Sequence, residues 1–191
     1  MLLLIAGLVV LLGVHSLQIA GLKEPLLARL GKAGYRAVHS LVSLAGLALI
    51  VIGYGQARAM GVTQLYDSPL WLRHVTILFM MVAMVLLVAA YVPCRIKAAV
   101  KHPMLVAIKI WAFGHLLSNG DLASVVLFGS FLAWAVVDRI WLKRQPVDVI
   151  ALEKAKAAPG ANDLIVVVIG ATAFVVFAFW LHPALIGVPV M

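Results

Sequence analysis

Six histidines, His15, His39, His74, His102, His115 and His182, are the side chains of this sequence best suited to chemistry. A neutral imidazole is the commonest metal ligand in proteins. Two of them facing each other between helices make a b-type haem site, and each can equally do no more than hydrogen-bond a neighbouring helix. His102 and His182 each precede a proline, Pro103 and Pro183, which reads as an interfacial residue that starts or ends a helix. His39 falls near a predicted helix end and His74 in a first turn, where hydration is cheap. His15 and His115 lie deeper in apolar runs and need explaining. On a 3.6-residue helix His115 shares a face with Trp111, Ser118 and Asn119, whereas Lys109 projects elsewhere. Gln18 lies one turn beyond His15, within reach of a hydrogen bond. Cys94 is the sole cysteine, so neither an internal disulfide nor a CxxC motif exists.

The elements that hold these residues follow from composition. Of 191 residues, 65% are hydrophobic and 12% charged, against roughly half and a quarter in soluble domains. A water-soluble chain of this size must show most of its surface to solvent and could not bury that much apolar side chain. The expected fold is therefore an all-α integral membrane protein, a bundle of about six transmembrane helices. A bilayer core of about 30 Å takes about 20 residues of helix, and six stretches qualify, at 1–20, 37–57, 70–92, 103–118, 122–142 and 164–181. The fourth is the weakest, being short and carrying both Lys109 and His115.

Basic residues decide whether that fourth segment spans. The loop between the first two stretches holds Lys23, Arg29, Lys32 and Arg36; the second loop holds Arg58 and Arg73; the third holds Arg95, Lys97 and Lys101. None lies between the fourth and fifth stretches, and Arg139, in the last turn of the fifth, counts with Lys143, Arg144, Lys154 and Lys156 on the side of the loop to the sixth. If the fourth segment spans, twelve fall on one side and two on the other; if not, the split is seven to seven and the positive-inside rule has no signal. It is expected to span, with both termini on the periplasmic side. The same topology accounts for the net charge of +8 without a nucleic-acid partner.

No Lys or Arg precedes the first apolar run and no A-x-A site follows it, so it reads as a helix rather than a signal peptide. The segment GLKEPLLARLGKAGYR that follows has leucines at helical spacing and reads as an interfacial helix. KRQPVDVIALEKAKAAPGAND reads as the one substantial loop. Residues 1–191 form a single polytopic membrane domain in this reading. Lys109, inside a span, is expected to face a partner or a hydrated cleft, since an unpaired charge there costs at least about 2.5 kcal/mol.

The run KHPMLVAIKIWAFGHLLSNGDLASVVLFGSFLAWAVVDR, with GKAGYRAVHSLVSL before it and GANDLIVVVIGATAFVVFAFWLHPALIGVPV at the end, resembles the NnrU family of bacterial membrane proteins over essentially the whole chain. The resemblance implies a protein of the bacterial inner membrane associated with denitrification and with the production of nitrite and nitric oxide reductases. NnrU proteins are in turn similar to the plant and cyanobacterial 15-cis-ζ-carotene isomerase, a membrane enzyme that uses haem b to isomerise a double bond. The isomerase's HP pair followed by W-C-x-A-H looks like His102–Pro103 followed by Trp111 to His115, and its H-S-G-L-A looks like His15–Ser16–Leu17. Carried over, His15 and His115 are the two axial ligands of a haem b iron. The isomerase cysteine after the tryptophan is Ala112 here, which removes a ligand implicated in its redox switch.

What the resemblance implies is thus a haem-dependent isomerase or redox protein with a small lipid-phase substrate, or a non-catalytic accessory protein for reductase assembly. Depth along the helices favours another pair. His15 falls ~7 Å to one side of mid-membrane and His115 ~7 Å to the other at 1.5 Å per residue, so His74 is by depth the better partner of His115. Lys101–His102–Pro103 also resembles the start of the cofactor region in membrane methyltransferases. Those enzymes need a polar cytoplasmic C-terminal segment, whereas this chain ends GVPVM after its last apolar run.

Overall fold

A computed structural model describes residues 1–187 and residue 190; Met191, the C-terminus assigned above to the periplasm and the end of the expected 1–191 domain, lies outside them. The described chain is helical: α1 Leu2–His15, α2 Lys23–Ala59, α3 Trp71–Ala89, α4 Arg95–Val100, α5 Pro103–Ser118, α6 Leu122–Leu142, α7 Val149–Lys156, α8 Gly160–Val176 and α9 His182–Ile186, with one π-helical turn, Phe177–Leu181, joining the last two. Four helices are long and apolar enough to cross a membrane: α2, α3, α6 and the continuous Gly160–Ile186. The expected count of six depends on α1 and α5, which are apolar but only 14 and 16 residues long. Side chains such as Val9, Leu41, Leu78, Leu164 and Trp180 stand exposed, far more apolar surface than a water-soluble monomer shows.

The chain packs as two compact units. The first comprises Met1–Asp67 and Gly120–Leu142. Here α1 and α2 form a hairpin with almost no space between backbones. A Cβ on Gly53 would lie 2.2 Å from the Leu4 nitrogen, and one on Gly7 would lie 2.6 Å from the Ile50 nitrogen. Lipid supplies no hydrophobic drive between helices, so close contact through small residues does the work. Gly31, with φ 69°, breaks the helical geometry of α2, setting residues 23–30 apart from the span as the sequence suggests for an interfacial segment. α6 begins on an Asp121 cap: Oδ1 accepts from the Ser124 amide at 3.0 Å, Oδ2 from the Ser124 hydroxyl at 2.6 Å. Tyr54 reaches the same hydroxyl at 2.8 Å.

The second unit comprises Ser68–Asn119 and Lys143–Met191. α3 packs against α5 on one flank and α8 on another; a Cβ on Gly170 would lie 2.5 Å from Val85 Cα. The N-terminus of α8 clasps the turn after α3, with Asn162 donating to the Pro93 carbonyl at 2.8 Å and Asp163 accepting from the Ile96 amide at 3.1 Å. Cys94 is fully buried against Ala89 and Val166 and caps α4. The segment read as a loop contains α7, started by Asp148 accepting from the Ala151 amide.

The last apolar stretch overruns its expected limits at both ends. It begins at Gly160 and runs through His182–Pro183 instead of stopping before them. Pro183 has no N–H, and its ring crowds the preceding turn. The helix absorbs this as a π-bulge, the His182 amide bonding to Phe177 five residues back. His182 therefore stands within the continuous helix Gly160–Ile186, four residues before its end, and does not follow it. Lys109 is half-buried, and among the described residues the one ion pair is Lys156–Glu153 on α7, so the charge partner expected for Lys109 is not a described acidic side chain.

Candidate histidine sites

His15 closes α1. Its Nδ1 lies 2.8 Å from the Leu11 carbonyl, an acceptor only, so Nδ1 carries the proton and the lone pair falls on Nε2. The expected bond to Gln18 is not formed. α1 ends at His15, and Gln18 Nε2 donates instead to Asp138 Oδ1 at 3.3 Å. The sequence reading passes over Asp138, a carboxylate only 4% exposed on α6; the rule that flags Lys109 in a span applies equally to it. One turn earlier on α6, Trp134 stands perpendicular to the His15 ring at 6.1 Å and donates its Nε1–H to Ser16 at 3.2 Å.

His39 on α2 completes the cluster, its ring centroid 4.9 Å from that of His15 at 65°, with Tyr35 one turn before it at 5.8 Å. Tyr35 and His39 four apart on one face is a signal the sequence offers. These residues border a cavity of about 320 Å³ that also takes in Gln18, Lys23 and Arg36. Two imidazoles on opposite sides of one metal ion, with bonds of about 2 Å, hold their centroids about 6 Å apart. His15 and His39 are closer and steeply inclined, so His39 as placed is a neighbour of His15 and not its partner across an iron.

His115, in the second unit, repeats the local device. Its Nδ1 lies 2.9 Å from the Trp111 carbonyl, and its ring is 5.4 Å from the Trp111 ring. Asn119 Nδ2 donates to the His115 carbonyl at 2.9 Å. Ser118 turns to α3, bonding Thr76, whose Oγ1 in turn lies 2.8 Å from the Gly114 carbonyl. The expected polar face Trp111–His115–Ser118–Asn119 is therefore present, though Ser118 serves α3.

The remaining histidines separate clearly. His74 is exposed in the first turn of α3, and it is the buried Thr76 that α3 turns toward α5. The structure thus supplies no contact for the His74–His115 pairing that depth suggests. His102 precedes α5 with Pro103 at its first turn, as expected. His182, read from sequence as a membrane-edge residue, stands against Phe177 at 6.0 Å and is within electrostatic reach of His115. His15 and His115 lie in different units, and each has a histidine neighbour of its own. Among the described residues no group of three His, Cys, Asp or Glu side chains could hold a bare metal ion.

No curated protein and no solved structure matches the chain. The model of the NnrU protein family matches residues 3–190, nearly the whole length. With the helical, lipid-suited architecture described above, that match makes the protein a member of the NnrU family.

Proposed function

We propose that this NnrU-family protein binds haem b, with His15 and His115 as iron ligands. We further propose that it works in nitrogen-oxide metabolism as a redox or isomerase-type protein on a small lipid-phase substrate. The observation that carries the reading is the shared tether. Both side chains donate Nδ1–H to the carbonyl four residues back, which orients the ring and keeps Nε2 unprotonated for a metal. A metal ligand held this way is more basic and better oriented than a free imidazole. Bound haem would supply a one-electron couple and a Lewis-acidic iron. Ala112, fully buried beside Trp111, brings no donor atom, so a cysteine ligand switch of the isomerase kind has no counterpart at that position.

Absorption spectra of the detergent-purified protein, oxidised and reduced, test the cofactor directly. A low-spin b-type spectrum is expected. His115→Ala should strip most of the haem, and His15→Ala should turn a six-coordinate iron five-coordinate, while His74→Ala and His102→Ala leave the spectrum unchanged. If His39→Ala or His182→Ala has these effects instead, the ligands are misassigned. A protein that purifies without haem and refuses reconstitution overturns the reading.

The membrane setting belongs to the same proposal: the bacterial inner membrane, crossed six times, with α1 and α5 as the short crossings at ~21 and ~24 Å of helix. The twelve-to-two division of basic residues supports it. A reporter active only outside the cytoplasm should work in the 118–121 loop and fail near Lys154; the reverse result inverts the topology.

A further inference from the structure

We propose that the cavity at the end of α1 binds the phosphate headgroup of an anionic membrane lipid. The cavity, about 320 Å³, gathers Lys23 and Arg36 with the His15 and His39 imidazoles, the Tyr35 phenol and the Gln18 amide. No carboxylate lines it. The nearest acid engaging the cluster, Asp138, is occupied by Gln18, and Glu24 beside Lys23 is exposed. Two cations with the Tyr35 hydroxyl, the Gln18 amide and the His39 imidazole around one open space match a tetrahedral oxyanion, with Arg36 able to give a forked pair of bonds and His15 lining the space without donating.

Position agrees with chemistry. The cavity lies in the segment carrying Lys23, Arg29, Lys32 and Arg36, the basic loop that the positive-inside rule assigns to the leaflet rich in anionic lipid. A second cavity, about 240 Å³, is lined by Leu22, Pro25, Leu26 and Arg29. It starts at the residue before Lys23, where a lipid bound by its phosphate needs apolar surface for its chains. Gly31, at φ 69°, interrupts the helix between Lys23 and His39, both of which line the cavity. The site stands on charge and shape alone and needs no haem.

Short-chain phosphatidylglycerol titrated onto the full-length protein in neutral detergent, followed by native mass spectrometry, reads binding whether or not haem is present. One phosphatidylglycerol per chain is expected, in preference to phosphatidylcholine. Lys23→Gln with Arg36→Gln should weaken it at least ~10-fold, as expected for the loss of two charge-assisted contacts. Lys143→Gln with Arg144→Gln removes the same charge from an exposed loop and should change it less than ~2-fold. Equal weakening in both double variants means diffuse attraction and overturns the site. So does unaltered lipid binding accompanied by loss of haem from the Lys23/Arg36 variant, which would assign the cations to haem carboxylates.

Discussion

His15 and His115 are held by the same local bond and surrounded by opposite environments. Around His15 the first unit places a buried carboxylate, a tryptophan N–H, a phenol, two cations and an open cavity. Around His115 the second unit places Trp111 and His182, on a helix whose Ala112 and Gly114 are buried and whose Gly114 fits against Phe79 and Met80. An imidazole tethered to its own helix is prepared for a metal by secondary structure alone. What else it can do depends on the helices packed against it. The first setting surrounds the ring with charged and hydrogen-bonding groups, the second with an aromatic ring and a second imidazole.

That contrast can be broken first at the packing. Gly53→Leu in the first unit and Gly170→Leu in the second each drive a side chain into a neighbouring backbone. Each should cost about 3 kcal/mol or more by overpacking, seen as loss of the monodisperse species on heating in detergent. A variant as stable as the parent would mean that its helix pair does not approach as closely as described. Smaller effects sharpen the contrast at the polar groups. Asp138→Ala leaves the Gln18 amide without its acceptor and should cost about 1–3 kcal/mol. Thr76→Val, removing an inter-helix bond of the kind that averages about 0.6 kcal/mol in membranes, should lower thermal stability only slightly. If Thr76→Val proves the more damaging of the two, the first unit's polar cluster is a surface feature and the comparison fails.

Much of the architecture was legible because lipid imposes a plain code. The limits expected for the fourth and fifth stretches, 103–118 and 122–142, coincide with α5 and α6, since a proline, an Asn–Gly–Asp turn and apolar runs mark them. The sixth was misjudged because Pro183 reads as a stop, whereas a π-bulge lets the helix continue. His182 was set aside for that reason. Asp138 escaped notice and His39 was read as a hydrated helix-end residue because the groups that engage them, Gln18 and His15, come from outside their own helices.

The sequence by itself determined an all-helical membrane protein of the NnrU family, because apolar length, charge placement and family motifs are properties of the chain read in order. The Nδ1 tether of both histidines is equally local, a bond within one helix, but the rotamer that makes it was not foreseen from the sequence. Only the tertiary structure decided that His15 stands beside His39 and Trp134, that Gln18 serves Asp138, and that His182 comes near His115. Those choices depend on which glycines allow which backbones to touch and on how one proline is absorbed, and neither is written in the spacing of the residues concerned.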